Sequence, residues 1–358
     1  MRMRFLKYLA GYTIPVVVWV SISQDGLWSF TAFAYAFVLI SILELFLPDD
    51  PSNLEATEEE LAKKDRIYDW MLYLNVPIQF GLLWFFLDTV STGTFTWWEL
   101  VGKVHAMGLS CGVTGINVAH ELGHRVKPYE RVMAKLLLMS SLYMHFIIEH
   151  NRGHHKRVST AEDPASARKG EGLYSFYGRT LIMSIGSAWQ LEKKRLLHKG
   201  GKIWSLQNEM LRFFLFQCLF LVAIGWFFGL FALGAYMLSA AIGMLLLETI
   251  NYVEHYGLRR RKLDNGRYER VMPWHSWNSN QYLGRIILYE LTRHSDHHYL
   301  ASREYQILRH MDEAPQLPAG YPAMMLLALL PPAWFRVMDP RVEAVMAAHP
   351  VEPENEGL

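Results

Sequence analysis

Apolar residues along the chain come in long blocks that are separated by short polar links. A membrane-spanning helix needs about 20 mostly apolar residues. Six blocks meet that length, near 5–23, 27–48, 70–90, 97–119, 211–231 and 233–251. The first follows a basic segment, but no small-residue cleavage site is evident and a second block follows almost at once, so we interpret it as a span rather than a signal peptide. The pattern predicts an all-α integral membrane protein with six transmembrane helices.

Two apolar blocks contain residues that are unusual in a membrane span. The fourth span is the least apolar, and it carries Gly108 and Gly112 four residues apart, a spacing that allows close helix packing. A shorter block at 132–148 contains Lys135 and His145. Because ionisable residues inside a span are costly, we predict that 132–148 forms a buried or interfacial helix and does not cross the bilayer.

The distribution of basic residues predicts the orientation in the membrane. Lys and Arg are frequent at the N-terminus and in the segments 49–69, 120–210 and 252–310, whereas the links 24–26 and 91–96 contain none. Basic links favour the cytoplasmic side, and with six spans all of them fall on one side. We therefore expect a bacterial inner-membrane protein with both termini and a histidine-rich cap in the cytoplasm.

Domain organisation and composition are also consistent with a membrane protein. The chain has 358 residues, of which 51% are hydrophobic and 19% charged, and its formal net charge of +1 suggests no nucleic-acid partner. We predict a single membrane domain over 1–338, with cytoplasmic catalytic segments at 120–210 and 252–338, and a C-terminal tail at 339–358. The two cysteines, Cys111 and Cys218, lie in apolar runs, so each is expected to be a buried, inert thiol.

The stretch VAHELGHR at 118–125 contains the pattern HExxH. In zinc proteases this pattern places two histidines one helical turn apart, with the glutamate as general base. An intramembrane zinc metalloprotease is therefore one hypothesis. However, it uses His120, Glu121 and His124 and leaves many other histidines without a role.

Nine of the 15 histidines form groups that the predicted topology brings to one membrane face. On a helix, residues three or four apart share a face, and neutral imidazole is a good ligand for iron, zinc or copper. One zinc needs only three or four protein ligands, so nine histidines favour two metal ions. The nine are His120, His124, His150, His154, His155, His255, His294, His297 and His298.

These motifs resemble those of the membrane alkane 1-monooxygenases, which belong with the histidine-rich membrane desaturases and hydroxylases. The matching stretches are HELGH, EHNRGHH followed by EDPAS, NYVEHYGL, HSWNSN at 275–280 and RHSDHH. Membrane desaturases typically have HxxHH in their second and third histidine boxes. This chain has HxxxHH at 150–155 together with NYVEHYGL, which favours the alkane hydroxylases or the related xylene monooxygenases.

The resemblance implies a diiron centre held by the nine histidines, without haem, flavin or bound nicotinamide. It implies that the enzyme hydroxylates the terminal methyl of medium-to-long-chain n-alkanes to 1-alkanols with O2. Electrons would come from a separate rubredoxin, which an NAD(P)H-dependent reductase reduces. A xylene or other aromatic-methyl monooxygenase and a fatty-acyl desaturase remain alternatives. The substrate would enter from membrane lipid through a channel between the spans, whose lining residues the sequence does not identify.

Several further residues are candidates for supporting roles. Acidic groups beside the ligands could orient imidazole N–H groups. Asp163, in EDPAS, is instead expected to cap a turn before Pro164. The candidates for the supporting role are Glu121, Glu149, Glu254, Asp296 and His275.

A run of basic residues follows His255 in LRRRKL. Because rubredoxins are typically acidic, Arg259, Arg260, Arg261 and Lys262 are a candidate docking patch for the electron donor. Ordinary positive-inside charge or contact with anionic lipid explains the same run equally well.

Overall fold

The computed structural model describes residues 4–351, and within them the fold is helical, with two isolated β-bridges and no strand. The main helices, in chain order, are α1 (Arg4–Ser23), α2 (Gly26–Glu44), α3 (Ala56–Lys64), α4 (Ile67–Thr92), α5 (97–124), α6 (Pro128–Met139), α7 (146–157), α8 (Leu173–His198), α9 (Glu209–His255), α10 (Tyr282–Ile287), α11 (His294–Tyr299), α12 (Tyr321–Ala328) and α13 (Pro331–Ala348).

Four helices of the described chain are long and apolar enough to cross a membrane, namely α1, α2, α4 and α9. The first three coincide with the first three predicted spans, although α4 begins at Ile67 rather than near 70. An all-helical membrane architecture is therefore confirmed.

Helix α9 is a hairpin rather than one straight rod. Gly229 has non-helical backbone angles, with φ at 84° and ψ at 167°. The rings of Phe220 and Tyr236 lie 5.9 Å apart across this break, whereas 16 residues of a straight helix span about 24 Å. The two arms, 209–228 and 230–255, therefore run back along each other. They match the fifth and sixth predicted spans, and glycine permits the positive φ that the turn requires.

Helix α5 contains the fourth predicted span and continues into the HELGH motif. It joins Trp97–Ser110, a π-helical stretch Cys111–Asn117, and Val118–His124. Lys103 is buried, and its ammonium donates to the carbonyls of Ile22 and Gln24 at 2.8 and 2.7 Å. It thus satisfies free carbonyls at the end of α1, which explains a lysine in an apolar helix.

Small residues bring α5 and the second arm of α9 into close contact. A Cβ at Gly108 would lie 2.6 Å from the Cγ2 of Ile242, and a Cβ at Gly243 would lie 2.6 Å from the Cβ of Cys111. The expectation of close helix packing around Gly108 and Gly112 is confirmed. This packing fixes the helix that carries His120 and His124 against the helix that carries His255.

The block 132–148 forms no continuous helix. Helix α6 ends at Met139, and α7 begins at Phe146. Between them Leu142 has a φ of 53°, and the hydroxyl of Ser141 donates to the carbonyls of Cys111 and Leu137. The chain turns there, which brings His150 back toward α5. Two helices thus replace the single helix that was predicted for this block.

Two smaller features differ from what the sequence suggested. The segment 339–358 was predicted to be a tail, and its first part is helical because α13 continues to Ala348; residues 352–358 lie outside the described residues. Trp334, Met338 and Val342, spaced four apart, are buried on one face of α13, so the helix packs beyond the predicted boundary. Cys218 is exposed on the first arm of α9 rather than buried, because apolar residues on a membrane helix also face lipid.

Candidate metal centre

Five imidazoles form the first of two histidine groups. Their ligand nitrogens all lie within 4.8 Å of one another. The Nε2 atoms of neighbouring members are 2.9 to 3.0 Å apart, as between His120 and His297 and between His150 and His155. The members of this five-histidine group are His120, His124, His150, His155 and His297.

Four imidazoles form the second group, and all four residues are buried. The Nε2 of His294 lies 3.1 Å from that of His255 and 2.9 Å from that of His298. The two groups are neighbours, since the rings of His155 and His298 are 4.5 Å apart. The members of this four-histidine group are His154, His255, His294 and His298.

A local helix distortion brings His150 and His155 to the same group. The stretch His150–His154 is π-helical, and His155 starts the next turn. Because a π-turn closes over five residues, side chains five apart can share a face there. Adjacent residues of a helix point in different directions, so His154 joins the other group, as His297 and His298 in α11 also separate. The HxxxHH spacing thus serves two sites from one short helix.

The histidine environment fits metal ions. Burial, and after it the neighbouring imidazoles, hold the pKa values of His150, His155 and His297 well below the usual range, and the pKa of His124 falls to about 4. These rings are therefore neutral at pH 7 and present lone pairs. Ligands at 90° to each other with metal–nitrogen bonds of about 2.1 Å are separated by about 3.0 Å, which matches the spacing of the Nε2 atoms.

The ligand nitrogen of His154 gives a second observation in favour of metal binding. Its Nε2 is buried and has no hydrogen-bond partner among the described residues. Its other nitrogen, Nδ1, lies 2.8 Å from an oxygen of Asp163. This is the arrangement in which a carboxylate fixes the tautomer and direction of a metal-binding imidazole.

Asp163 is the supporting residue that sequence reasoning missed. It is buried, accepts a hydrogen bond from the hydroxyl of Ser166 at 2.6 Å, and contacts the Nδ1 of His154. Although burial acts to raise the pKa of Asp163, the contact with His154 lowers it below its usual value. The predicted turn cap is present, since Asp163 Oδ1 accepts a weak bond from the Ala165 amide, but that interpretation was too narrow because the other carboxylate oxygen contacts His154. Its position in EDPAS, nine residues after His154, was the available signal.

Of the predicted supporting acids, Glu254 contacts a ligand. One of its oxygens lies 3.1 Å from the Nε2 of His294, and the other accepts a hydrogen bond of 2.7 Å from the hydroxyl of Tyr321. Glu254 therefore reaches the ligand face of the four-histidine group rather than the outer N–H of an imidazole.

The other predicted supporting residues make their closest contacts elsewhere. Glu121 pairs with Arg125 at 2.9 Å and accepts from the backbone N–H of Tyr305. Because its carboxylate is occupied in this way, it does not fit the general base of a zinc protease. Glu149 pairs with Arg157 at 2.6 Å, and Asp296 with Arg303. The Nδ1 of His275 accepts from the Met272 amide, and its Nε2 faces Glu269 at 3.4 Å.

The basic run after His255 is only partly available at the surface. Arg260 is buried and donates to the carbonyls of Glu269 and Lys156, so it is a structural residue and its inclusion in the docking patch was wrong. Arg259 is half-buried. Arg261 and Lys262 are exposed and remain candidates.

Apolar cavities lead from the outer surface toward the histidines. An inner cavity touches Asn117, one turn before His120, and Tyr321, the partner of Glu254. A middle cavity shares walls with the inner one, and a wide outer groove shares walls with the middle one. The walls common to the inner and middle cavities are Phe37, Leu109, Leu246 and Met325, and those common to the middle cavity and the groove are His105, Ile242 and Leu245.

The family model for fatty acid desaturases matches residues 95–328, which include all nine histidines. The chain belongs to this family. The matched region runs from the start of α5 to the end of α12, and it therefore covers both histidine groups and the second arm of α9.

Relatives named as monooxygenases match almost the entire chain. Alkane 1-monooxygenase 2 of Pseudomonas aeruginosa is 42% identical over 95% of this chain and 91% of its own length. Alkane 1-monooxygenase of Acinetobacter baylyi is 40% identical over 85% of this chain and 74% of its own. The xylene/toluene monooxygenase hydroxylase component of Pseudomonas putida is 30% identical over 92% of this chain and 87% of its own. The resemblance drawn from the motifs is confirmed: the chain is an enzyme of the membrane alkane monooxygenase type.

Proposed function

We propose that this enzyme hydroxylates the terminal methyl of medium-to-long-chain n-alkanes. The overall change consumes O2, two electrons and two protons, and gives a 1-alkanol and water. The observation that carries the proposal is a pair of histidine groups beside an apolar cavity that is lined by Asn117, one turn before His120. Iron bound there would supply the activation of O2 and the transfer of one oxygen atom to carbon.

Each histidine group is proposed to hold one iron ion. The five-histidine group would hold one ion and the four-histidine group the other. Both sets consist of imidazole nitrogens, which suit iron. Glu254 is a carboxylate on the ligand face of the four-histidine group, and its hydrogen bond from Tyr321 holds it beside His294.

The three apolar cavities are proposed to be the substrate path. Along α5, His105 in the outer groove and Asn117 in the inner cavity are twelve residues apart, or about 18 Å of helix. An alkane has no polar handle, so shape and burial must position it. A narrow apolar path would present the terminal methyl to the histidine side and leave the rest of the chain between α5, α2 and the second arm of α9.

The residues of the chain position the substrate and exclude water from the site. Apolar walls exclude water from the reacting carbon, which limits side reactions. Asp163 holds the Nδ1 of His154 and thereby directs its Nε2 to the four-histidine group. Holding the methyl close to that group selects the terminal carbon, because effective molarity rises steeply with correct placement.

The remaining parts of the proposal concern the membrane and the electron donor. The α9 hairpin and α5 together with α1, α2 and α4 support six spans, with the histidines and both termini on the cytoplasmic side of the inner membrane. Electrons are proposed to come from a rubredoxin that an NAD(P)H-dependent reductase reduces. Arg261 and Lys262 are the exposed members of the predicted docking patch.

A whole-cell feed tests the proposed activity. The chain is expressed with a rubredoxin and its reductase in a host that cannot oxidise alkanes, and octane, dodecane, hexadecane and p-xylene are supplied together. Products and host fatty acids are then analysed by gas chromatography and mass spectrometry. We expect 1-alkanols, and we expect none from a His154→Ala variant.

Other product patterns would assign a different substrate. Methylbenzyl alcohol as the sole product would move the chain to aromatic-methyl hydroxylation, in keeping with its similarity to the xylene/toluene enzyme. New double bonds in host lipids, with the added hydrocarbons untouched, would indicate a desaturase and contradict the proposal.

A further inference from the structure

A basic pocket lies on the outer side of the helix that carries His150 and His154. It has a volume of about 300 Å³ and is formed by α6, α7, the end of α8 and the start of α9. Its side chains are five cations, one carboxylate, one amide and two isoleucines: Arg131, Lys135, Arg152, Arg195, Arg212, Glu209, Asn151, Ile147 and Ile148. It takes no part in the proposed oxygenation.

The cations of this pocket exceed the carboxylates near them. Glu192 is fully buried and pairs with Arg152 at 3.1 Å and with Arg195 at 2.6 Å. Glu209 pairs with Lys135 and lies 4.0 Å from Arg212. Two carboxylates thus face five cations.

Arg131 carries part of the excess charge. Its guanidinium makes no ion pair or side-chain hydrogen bond with any residue of the described chain, and the residue is exposed at the pocket rim. A concave group of arginines with surplus positive charge suits a phosphate, which arginine binds with two parallel hydrogen bonds.

The surroundings place the pocket at the level of the membrane surface. Arg212 is in the first turn of α9, whose next turns expose Leu215 and Leu219. Trp204 and Leu206, in the loop before α9, are 79% and 64% exposed. Apolar chains beside a span and tryptophan next to its end are typical of the boundary between lipid and water.

Helix α6 presents a similar boundary on the other side of the pocket. Val132 and Leu136 are exposed directly after Arg131 and Lys135. A helix with exposed apolar and basic residues side by side is suited to lie in the headgroup region. The pocket is therefore bordered by lipid-facing residues on both sides.

We propose that this pocket binds the phosphate of an anionic phospholipid from the surrounding bilayer. Basic pockets next to spans on the cytoplasmic side are a known way to hold such headgroups. The acyl chains would lie along the exposed face of the first arm of α9. A soluble acidic protein fits less well, because the cations line a small cavity rather than a broad face, and apolar residues border it.

Bound lipid would brace the metal centre. Arg152 and Asn151 belong to the π-helical stretch between His150 and His154. Asn151 donates to the carbonyl of Gly123, next to His124, at 2.9 Å. A phosphate held by the pocket would therefore restrain both the helix of the second motif and the end of HELGH.

The test uses the iron-loaded enzyme in nanodiscs of phosphatidylcholine with increasing fractions of phosphatidylglycerol. Bound phosphatidylglycerol is counted by native mass spectrometry, and the thermal midpoint and iron retention are recorded. The variant is Arg131→Gln with Arg212→Gln. The matched control is Arg66→Gln with Arg267→Gln, which removes the same charge from exposed positions outside the pocket and outside the predicted docking patch.

We expect the pocket variant to bind phosphatidylglycerol roughly 25-fold more weakly, since each cation near a membrane surface contributes about five-fold. Its thermal midpoint and iron retention would no longer rise with phosphatidylglycerol, whereas the control would behave as the parent. Arg131→Lys, which keeps the charge, should retain most of the effect, and a normal midpoint in pure phosphatidylcholine shows that the variants fold.

Three outcomes would overturn the proposal. The first is equal binding of phosphatidylglycerol by the pocket variant and its control. The second is full saturation by inorganic phosphate or glycerophosphoglycerol, which would indicate a site for a free anion. The third is unchanged lipid binding with a loss of rubredoxin-driven turnover only in the pocket variant, which would make the pocket a docking site for the donor.

Discussion

At the scale of single residues, the carboxylate of Asp163 is the supporting group with the clearest geometric role. It is buried, and its contact with the Nδ1 of His154 leaves the Nε2 of that ring directed at the four-histidine group. Carboxylates in this position raise the basicity of the ligand and fix its orientation. The effect of Asp163 should therefore appear in metal affinity before it appears in folding.

Replacing Asp163 with asparagine should weaken iron binding by about 10–100-fold, because the charge that orients His154 is lost while the shape is kept. Iron per chain is measured by elemental analysis after dialysis against a graded series of chelator concentrations. Glu162→Gln is the control, since it removes a charge from the adjacent exposed residue. Equal retention of iron in both variants would show that the contact with His154 is incidental.

Adjacent histidines in α11 give a sharp test of the two-group arrangement. His297 belongs to the five-histidine group and His298 to the four-histidine group. Because each variant would disable one site, His297→Ala and His298→Ala should each lose roughly half of the bound iron, and the double variant nearly all of it. His198→Ala, on the exposed end of α8, is the control. Additive losses are expected; complete loss from either single change would mean that the sites do not fill separately.

The nine histidines could be predicted as ligands from their spacing and the family resemblance. Their assignment to the five-histidine and four-histidine groups could not be predicted. His150 and His155 are five residues apart, and the π-turn at His150–His154 brings them to the same group, while the intervening His154 joins the other. Such a turn depends on packing against other helices, which the local sequence does not record. The prediction that Arg260 belongs to an exposed docking patch was wrong for a similar reason. A run of basic residues suggests a surface, whereas Arg260 donates to the backbone carbonyls of Glu269 and Lys156, which the run itself does not contain.

At the scale of elements, glycine sets how closely the metal-bearing helices approach. The Cβ of any residue at position 243 would lie 2.6 Å from the Cβ of Cys111 and 3.0 Å from the backbone nitrogen of Gly112. These neighbours are backbone or the base of a side chain, so they cannot swing aside. Helices α5 and α9 would have to separate, and His120 and His255 would separate with them.

Gly243→Ala should therefore destabilise the protein by about 1–3 kcal/mol, the usual cost of overpacking, although alanine favours a helix. The thermal midpoint in detergent and the iron content are the measurements. Gly234→Ala on the same arm is a matched control, because a Cβ there meets nothing within 4 Å. A midpoint for Gly243→Ala at or above that of Gly234→Ala would contradict the packing argument.

The ends of helices were predictable where a hydrophobic block ends at a polar link. They were less predictable where packing against other helices sets the end. The blocks 211–231 and 233–251 correspond to the two arms of α9, and the break falls at Gly229, two residues inside the first block. Nothing in local polarity marks that position, since Phe228 and Leu230 flank it. The predicted domain boundary at 338 falls inside the helix Pro331–Ala348, because the buried face of this helix is visible only once α9 is placed beside it.

At the scale of the whole molecule, the predicted topology can be tested by labelling. Six spans would place the link 91–96 outside the cytoplasm and the loop after His255 inside it, in keeping with the basic residues of that loop. Single cysteines are introduced at Thr94 and Asp264, both exposed, in a Cys218→Ser background. A membrane-impermeant maleimide should label position 94 in intact spheroplasts and position 264 only after permeabilisation. The reverse pattern would invert the orientation and place the histidines on the outer side.

The proposed substrate path runs from the outer groove through the middle cavity to the inner one, and Leu246 lies where the inner and middle cavities meet. A larger side chain there should shorten the usable path without touching a histidine. Leu246→Trp is therefore expected to lower the rate for hexadecane relative to octane by about ten-fold, within the cost of about 1–3 kcal/mol for overpacking. Rates are read as 1-alkanols by gas chromatography.

The control for this path is Leu219→Trp, which places the same ring on the exposed face of the other arm of α9. It should leave the hexadecane-to-octane ratio unchanged, and both variants should retain iron, because neither residue contacts the histidine groups. A fall for both substrates in equal proportion, with iron intact, would mean that Leu246 affects stability rather than length. An unchanged ratio in Leu246→Trp would place the substrate outside these cavities, and the chain would then have to reach the histidines from the cytoplasmic side.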